Sequence, residues 1–288
     1  MSFLKIGDET FDLKKKTLVM GILNVTPDSF SDGSDFDSVH KAVKHAIQMQ
    51  DEGADIIDIG GESTRPGALA VSAEKELKRV VPVIKALSGK IDVPLSIDTY
   101  KSEVARKALE LGVSMINDVT ALQGDKKLVN VVSSYDVPLC LMHMKGNPRD
   151  MQKNPDYSDV VSEIKSFLKE RAEYAIFNDV RKENIIVDPG LGFGKRTGRG
   201  IEDNCEILKR LSELKELGYP ILVGASRKAF IGNVCDGEKQ LPPEERLGGS
   251  LAAAVVATIN GANILRVHDV AETKKCIKFA DWMLGRKK

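Results

Sequence analysis

The sequence predicts one α/β domain over residues 1–288, a closed (β/α)8 TIM barrel of eight parallel strands, and three observations predict it. Eight short runs rich in Val, Ile and Leu recur along the chain, segments with helical spacing separate them, and the irregular stretches gather after the strands. A chain of 288 residues suits one such barrel of about 250 residues with a short extension, and needs no second core.

The extension is residues 1–16, MSFLKIGDETFDLKKK, read as a short amphipathic leader. The strand candidates then follow at 17–22, 55–59, 94–97, 114–116, 138–142, 184–187, 220–223 and 262–267. Most are unbroken and rich in Val, Ile and Leu, as strands covered on both faces should be. Between them, Val39, Ala42, Val43, Ala46 and Ile47 mark one helical stripe, and Val160, Val161, Ile164, Phe167 and Leu168 mark another. Gly53 and Gly112 stand where a helix end needs positive φ. The irregular stretches are 26–35, 61–71, 145–157, 191–200 and 232–243. All five are expected to follow a strand and precede a helix, at the carboxyl end of the barrel, where this architecture places its chemistry.

Composition narrows the function. Lys plus Arg and Asp plus Glu are 42 each and aromatics make up 5%, which argues against nucleic-acid and acidic-membrane binding. Cys140, Cys205, Cys235 and Cys276 form no CxxC pair and read as small buried hydrophobes in a reducing cytosol. The first residues carry charge where a signal peptide needs an apolar stretch, and no run of about 18 apolar residues follows, so the expected location is cytoplasmic.

Polar residues recur where the strands end: Asn24, Asp58 and Glu62, Asp98, Asn117 and Asp118, His143, Asp188, Lys228, Arg266 and His268. Any one of them could cap the next helix. Together they suggest a ring converging on one axial pocket. His40 and His45 are five apart and no His/Cys cluster exists, so a metal site built only from protein ligands is not visible.

Eight strings carry a family resemblance: GILNVTPDSFSDG (21–33), DIGGESTRPG (58–67), SIDTYK (96–101), INDV (116–119), LMHMKGNPRDMQ (141–152), VDPGLGFGK (187–195), GASRKAFIG (224–232) and RVHD (266–269). In order, and over nearly the whole chain, they resemble the dihydropteroate synthases. The resemblance implies a transferase of folate biosynthesis that condenses 6-hydroxymethyl-7,8-dihydropterin pyrophosphate with p-aminobenzoate, giving dihydropteroate and pyrophosphate. It places the pterin on Asp98, Asn117, Asp188, Gly194 and Lys228, and the pyrophosphate on Asn24, Arg65, Arg266 and His268. It puts a magnesium ion on Asn24, and the aromatic amine at Phe30, Thr64, Arg65, Pro66 and Ser226. Asp98, Lys228, Arg266 and His268 become the catalytic set, and a homodimer is implied. The residue types suit the task, because a pterin edge pairs N–H donors with a carbonyl and so wants carboxylates beside a cation.

The chain departs from the family pattern in Ser34, where many relatives carry glycine, and in RTGRGIEDN (196–204), which is longer and more basic than usual. Arg196 and Arg199 could serve a phosphorylated ribofuranosyl-aminobenzene, the acceptor of methanopterin biosynthesis, or could simply pair with Glu202 or Asp203. Two further alternatives stay open: a methyltransferase domain holding a methylated pterin for a corrinoid protein, and a pterin-binding barrel without catalysis.

Overall fold

A computed structural model describes residues 2–26, 35–65, 67–147, 149–198, 201–236 and 240–286. The chain opens with an antiparallel hairpin, β1 (Phe3–Ile6) and β2 (Glu9–Asp12), turned at Gly7 with φ +59°. Alternation sends Leu4 and Ile6 to one face. With Phe11 and Leu13 they pack on Leu18, Met20, Ile56, Met115, Cys140, Ile186, Leu222 and Ile264, the side chains that fill the amino end of the barrel. The expected leader is therefore a plug. Its period-2 pattern is short and interrupted by the turn, which hides it in the sequence.

The barrel strands are β3 (Leu18–Asn24), β4 (Ile56–Gly60), β5 (Leu95–Asp98), β6 (Met115–Asp118), β7 (Leu139–Met142) and β8 (Ile185–Asp188). A two-residue-per-strand hairpin, β9 (Thr197–Gly198) and β10 (Ile201–Glu202), interrupts the series before β11 (Leu222–Val223) and β12 (Ile264–Val267) complete it. The eight barrel strands pair in parallel in the order β11-β12-β3-β4-β5-β6-β7-β8, and a parallel bridge between Val187 and Ile221 closes the ring. The eight predicted strands and their closure are as expected.

Helices pack outside: α1 (Asp35–Asp51), α2 (Ala73–Leu87), α3 (Ser102–Glu110), α4 (Leu128–Tyr135), α5 (Val160–Phe177), α6 (Asp203–Lys209), α7 (Ala229–Asp236), α8 (Leu247–Ile259) and α9 (Val270–Met283). Residues of odd phase on the strands, such as Val19, Ile57, Ile97, Leu141 and Leu265, meet the helical stripes in the larger core. Each fully buried side chain of this size contributes roughly 1.5–3 kcal/mol. The predicted stripes of α1 and α5 bury as expected, and Gly53 and Gly112 both take φ +98°.

Two further expectations change. Gly232 lies inside α7, so the stretch 232–243 follows a helix and not a strand. A Cβ on Gly232 would come within 2.9 Å of Leu241 O and Arg246 Nε, so the glycine is there for close packing and not for a loop. Of the cysteines only Cys140 is buried; Cys205 and Cys235 are exposed and Cys276 is intermediate, because helix exteriors carry them. The small-residue run of α8 turns Ser250, Ala253, Ala254 and Ala257 inward, so it packs that helix on the barrel. No helix among the described residues is long and apolar enough to cross a membrane.

Candidate active site

The period of 2 that builds the apolar plug also builds the layer above it. Asp58 lies two residues beyond Ile56, Asn117 two beyond Met115, Asp188 two beyond Ile186 and Arg266 two beyond Ile264, so all keep the inward phase of those core residues. Asp98 follows Ser96 in the same way.

Arg266 holds the layer together. Its Nε donates to Asp58 Oδ2 at 2.7 Å and its Nη2 to Asp98 Oδ2 at 2.8 Å. Asn117 Nδ2 donates to the same Asp58 oxygen at 3.0 Å. Asp58 is fully buried and its second oxygen, Oδ1, has no hydrogen-bond partner among the described residues. Burial pushes the Asp98 carboxyl up, Arg266 opposes this, and the neighbouring Asp58 carboxylate adds to it; one guanidinium shared by two carboxylates does not offset desolvation.

Across the pocket Asp188 Oδ1 accepts from the Gly190 amide at 2.7 Å, and burial raises its pKa despite the Lys228 charge nearby. Lys228 Nζ donates to Leu191 O and lies 4.4 Å from the centre of the Phe193 ring. Burial brings this amine down to about 8, with Asp188 opposing. Asp98, Asn117, Asp188, Lys228 and Arg266 thus gather at the mouth of the barrel, the first three buried and the two cations partly exposed, as the sequence suggested.

His268 and Ser226 face each other from the ends of β12 and β11. Ser226 Oγ accepts from His268 N and lies 3.1 Å from His268 Nδ1; with the hydroxyl proton shared to Nδ1, the other ring nitrogen is the donor. Burial, then the charges of Arg266 and Arg227, bring His268 down to about 4, and the Arg65 charge adds to the effect. His268 is therefore a neutral N–H donor and not the cation a pyrophosphate site first suggests. Arg227, between Ser226 and Lys228, has φ +56°, and its amide donates to Ser250 Oγ at 2.9 Å. This left-handed turn keeps residues on both sides of it on the same rim.

Other predicted residues fall in different places. Thr64 and Arg65 lie on the loop after β4, Arg65 exposed, while Phe30 and Pro66 lie outside the described residues. Gly194 takes φ +60° and its carbonyl accepts from Tyr157 Oη. Asp118 leaves the ring: one residue beyond Asn117 it points outward and accepts from Thr120 N at 2.8 Å and Leu122 N at 2.6 Å, the capping role. Glu62 pairs with Lys101, which also holds the fully buried Glu76. Arg196 is taken up by Asp203, with Nε and Nη2 contacts of 3.0 to 3.2 Å, and Arg199 lies outside the described residues. Sequence reasoning put Asp58 in the ring without a substrate role and did not single out Lys195. The inward phase that residue 58 shares with Ile56 turns Asp58 toward the other members of the layer.

The described residues hold no cluster of three or more His, Cys, Asp or Glu side chains suited to a metal. What they offer a magnesium ion is a hard oxygen beside a carboxylate: a Cβ on Gly60 would be 3.6 Å from Asn24 Oδ1 and 3.8 Å from Asp98 Oδ2. That set fits an ion that keeps its waters and takes other ligands from substrate phosphate.

A family model for pterin binding enzymes matches residues 20–268, which contain the barrel strands except the first two residues of β3, and every residue of the layer. A dihydropteroate synthase of Clostridium beijerinckii is 46% identical over 98% of this chain and 100% of its own. The chain belongs to the dihydropteroate synthase family of pterin binding enzymes. Among solved structures, the dihydropteroate synthase of Xanthomonas albilineans with 4-aminobenzoic acid superposes with a TM-score of 0.89 at 45% identity, over 99% of this chain and 98% of that one. The same enzyme in complex with 7,8-dihydropteroate gives 0.85 at 42% identity, over 99% and 98%. Membership in the dihydropteroate synthase family gives the buried charge layer a chemical class of ligand.

Proposed function

We propose that the chain condenses 6-hydroxymethyl-7,8-dihydropterin pyrophosphate with p-aminobenzoate to form 7,8-dihydropteroate and pyrophosphate, in folate biosynthesis. The observation that carries the reading is the single layer in which Lys228 and Arg266 meet the buried Asp98, Asn117 and Asp188, in a chain related over its length to dihydropteroate synthases. Relatives crystallised with 4-aminobenzoic acid and with 7,8-dihydropteroate supply the substrate and the product.

In this reading the carboxylates accept from the N–H edge of the pterin and the Lys228 ammonium donates to its carbonyl. The C–O bond at the pterin methylene breaks, its electron pair leaves with pyrophosphate, and the anionic Asp98 and Asp188 favour the positive charge left on the ring. The amine nitrogen then forms the C–N bond and loses its proton. No side-chain nucleophile takes part. Arg65 and the His268 N–H face the leaving group, and Arg266 sets the orientation of Asp98 while lending its charge. Asn24 would hold a magnesium ion, which when bound neutralises phosphate charge. Thr64, Ser226 and the first two loops, with Phe30 and Pro66, form the acceptor side.

The engagement of Arg196 by Asp203 favours p-aminobenzoate over a phosphorylated amine. The test supplies the donor with each amine and measures both products. Equal amounts of dihydropteroate and pyrophosphate from p-aminobenzoate are expected, and EDTA should stop turnover without changing the affinity for a pterin that lacks phosphates. Product only from the phosphorylated amine, or full activity in metal-free buffer, overturns the corresponding part.

Cytoplasmic residence and a homodimer belong to the same proposal. The exposed Cys205 and Cys235 suit a reducing compartment. Phe279, Trp282 and Met283 on α9 are 66%, 70% and 61% exposed, with i, i+3, i+4 spacing, beside Val256 and Ile259 of the adjoining α8. Trp282→Glu is expected to convert the dimer to monomer in sedimentation at micromolar concentration. A parent that sediments only as monomer contradicts it.

A further inference from the structure

Lys195 is only 1% exposed, and among the described residues no carboxylate lies within ion-pair distance of it. A buried ammonium without a counterion is expensive unless every proton finds an acceptor. Here all three do: Nζ is 3.0 Å from His143 Nδ1 and donates to Gly190 O and Phe193 O at 2.9 Å each. Burial brings the Lys195 amine down to about 7 and holds the His143 ring at about 2, so below neutral pH Nζ carries its third proton and Nδ1 accepts it. Two of the acceptors are carbonyls of the loop that carries Lys195, so the ammonium closes 190–195 around itself. The third ties that loop to the end of β7.

The loop has no slack for another shape. A Cβ at Gly190 would lie 1.9 Å from His143 O and one at Gly194 would lie 2.2 Å from Lys145 O, so the two backbones touch directly. What the loop presents to the site is fixed in turn. The Gly190 amide holds Asp188 Oδ1, Leu191 O receives Lys228 Nζ, and the Phe193 ring backs the same ammonium.

We infer that Lys195 is a positioning residue for the pterin donor: through the loop it closes, it sets the carboxylate of Asp188 and the ammonium of Lys228 at the spacing the pterin edge needs, without touching the substrate. The inference rests on the pterin reading of those two residues. It separates the substrates, because the loop after β8 serves the pterin edge and the first two loops serve the amine.

The test measures KM for each substrate and the midpoint of thermal unfolding in Lys195→Met, Lys195→Arg and Lys228→Met. Lys195→Met is expected to raise the donor KM about 10-fold or more while the amine KM stays within about 2-fold, the size of losing charged hydrogen bonds on one side of the site. Lys195→Arg, which keeps charge and donors, should recover part of the donor affinity. If Lys195→Met does not accumulate, His143→Leu removes one acceptor and should raise the donor KM by about 3-fold or more. A donor KM raised in Lys228→Met but unchanged in the residue 195 or 143 variant overturns the positioning role alone. Equal rises for both substrates, tracking the loss of thermal stability, overturn it as well. An unchanged donor KM in Lys228→Met overturns the pterin assignment beneath it.

Discussion

Replacing Arg266 with Met is expected to abolish turnover and to lower the midpoint of thermal unfolding by roughly 10 °C. The guanidinium joins Asp58 and Asp98 at 2.7 and 2.8 Å, and without it two buried carboxylates face each other with Asn117 the one remaining side-chain donor among the described residues. Breaking such a pair costs about 3–5 kcal/mol, and a domain of this size loses about 2–4 °C per kcal/mol. The size of the effect comes from the carboxylates left behind, so adding Asp58→Asn and Asp98→Asn to Arg266→Met should restore much of the stability and none of the activity. Calorimetry on the single and triple variants checks this. A single variant that melts with the parent would show that the layer tolerates both charges unaided.

Asp98→Asn is expected to lower kcat/KM by a factor of about 100 or more, since it removes a charge that both binds the pterin edge and favours the cationic ring. It keeps an oxygen acceptor for Arg266, so the fold should survive. Stability should respond to pH in a defined direction. Burial raises the folded pKa of Asp98 from 3.8 to about 7, so the folded state holds a proton that the unfolded state has lost across that window. The parent's stability therefore declines as pH rises from about 4 to 7, and the penalty is full above it. Asp118 and Asp188, also raised by burial, decline in parallel, so Asn at position 98 should make the slope shallower without removing it. Unfolding midpoints across this range decide the matter, and an unchanged slope would place the titration elsewhere.

The barrel was legible because its two periods are written plainly: buried strands as unbroken runs, and helices as single stripes ending at Gly53 and Gly112. The plug was not, because four residues per strand between charged neighbours carry too little periodic signal. In the site, residue type and strand-end position were enough to collect Asp98, Asn117, Asp188, Lys228 and Arg266. Position without parity misplaced Asp118, which adjoins Asn117 yet faces the other way. What sequence could not supply is who holds whom. Arg266 meets Asp58 and Asp98 across separations of 208 and 168 residues, Lys195 reaches His143 across 52, and Ser226 meets His268 across 42. Those contacts exist only once the ring closes.

The two-subsite account is tested most directly by calorimetric titration of the parent and His268→Ala with a 6-hydroxymethyl dihydropterin, first without phosphates and then as its pyrophosphate. The account predicts that the variant binds the unphosphorylated pterin with the parent's affinity and loses about 10-fold for the pyrophosphate alone, the loss of one hydrogen bond to a charged group. An equal loss for both ligands, or none for either, would contradict it.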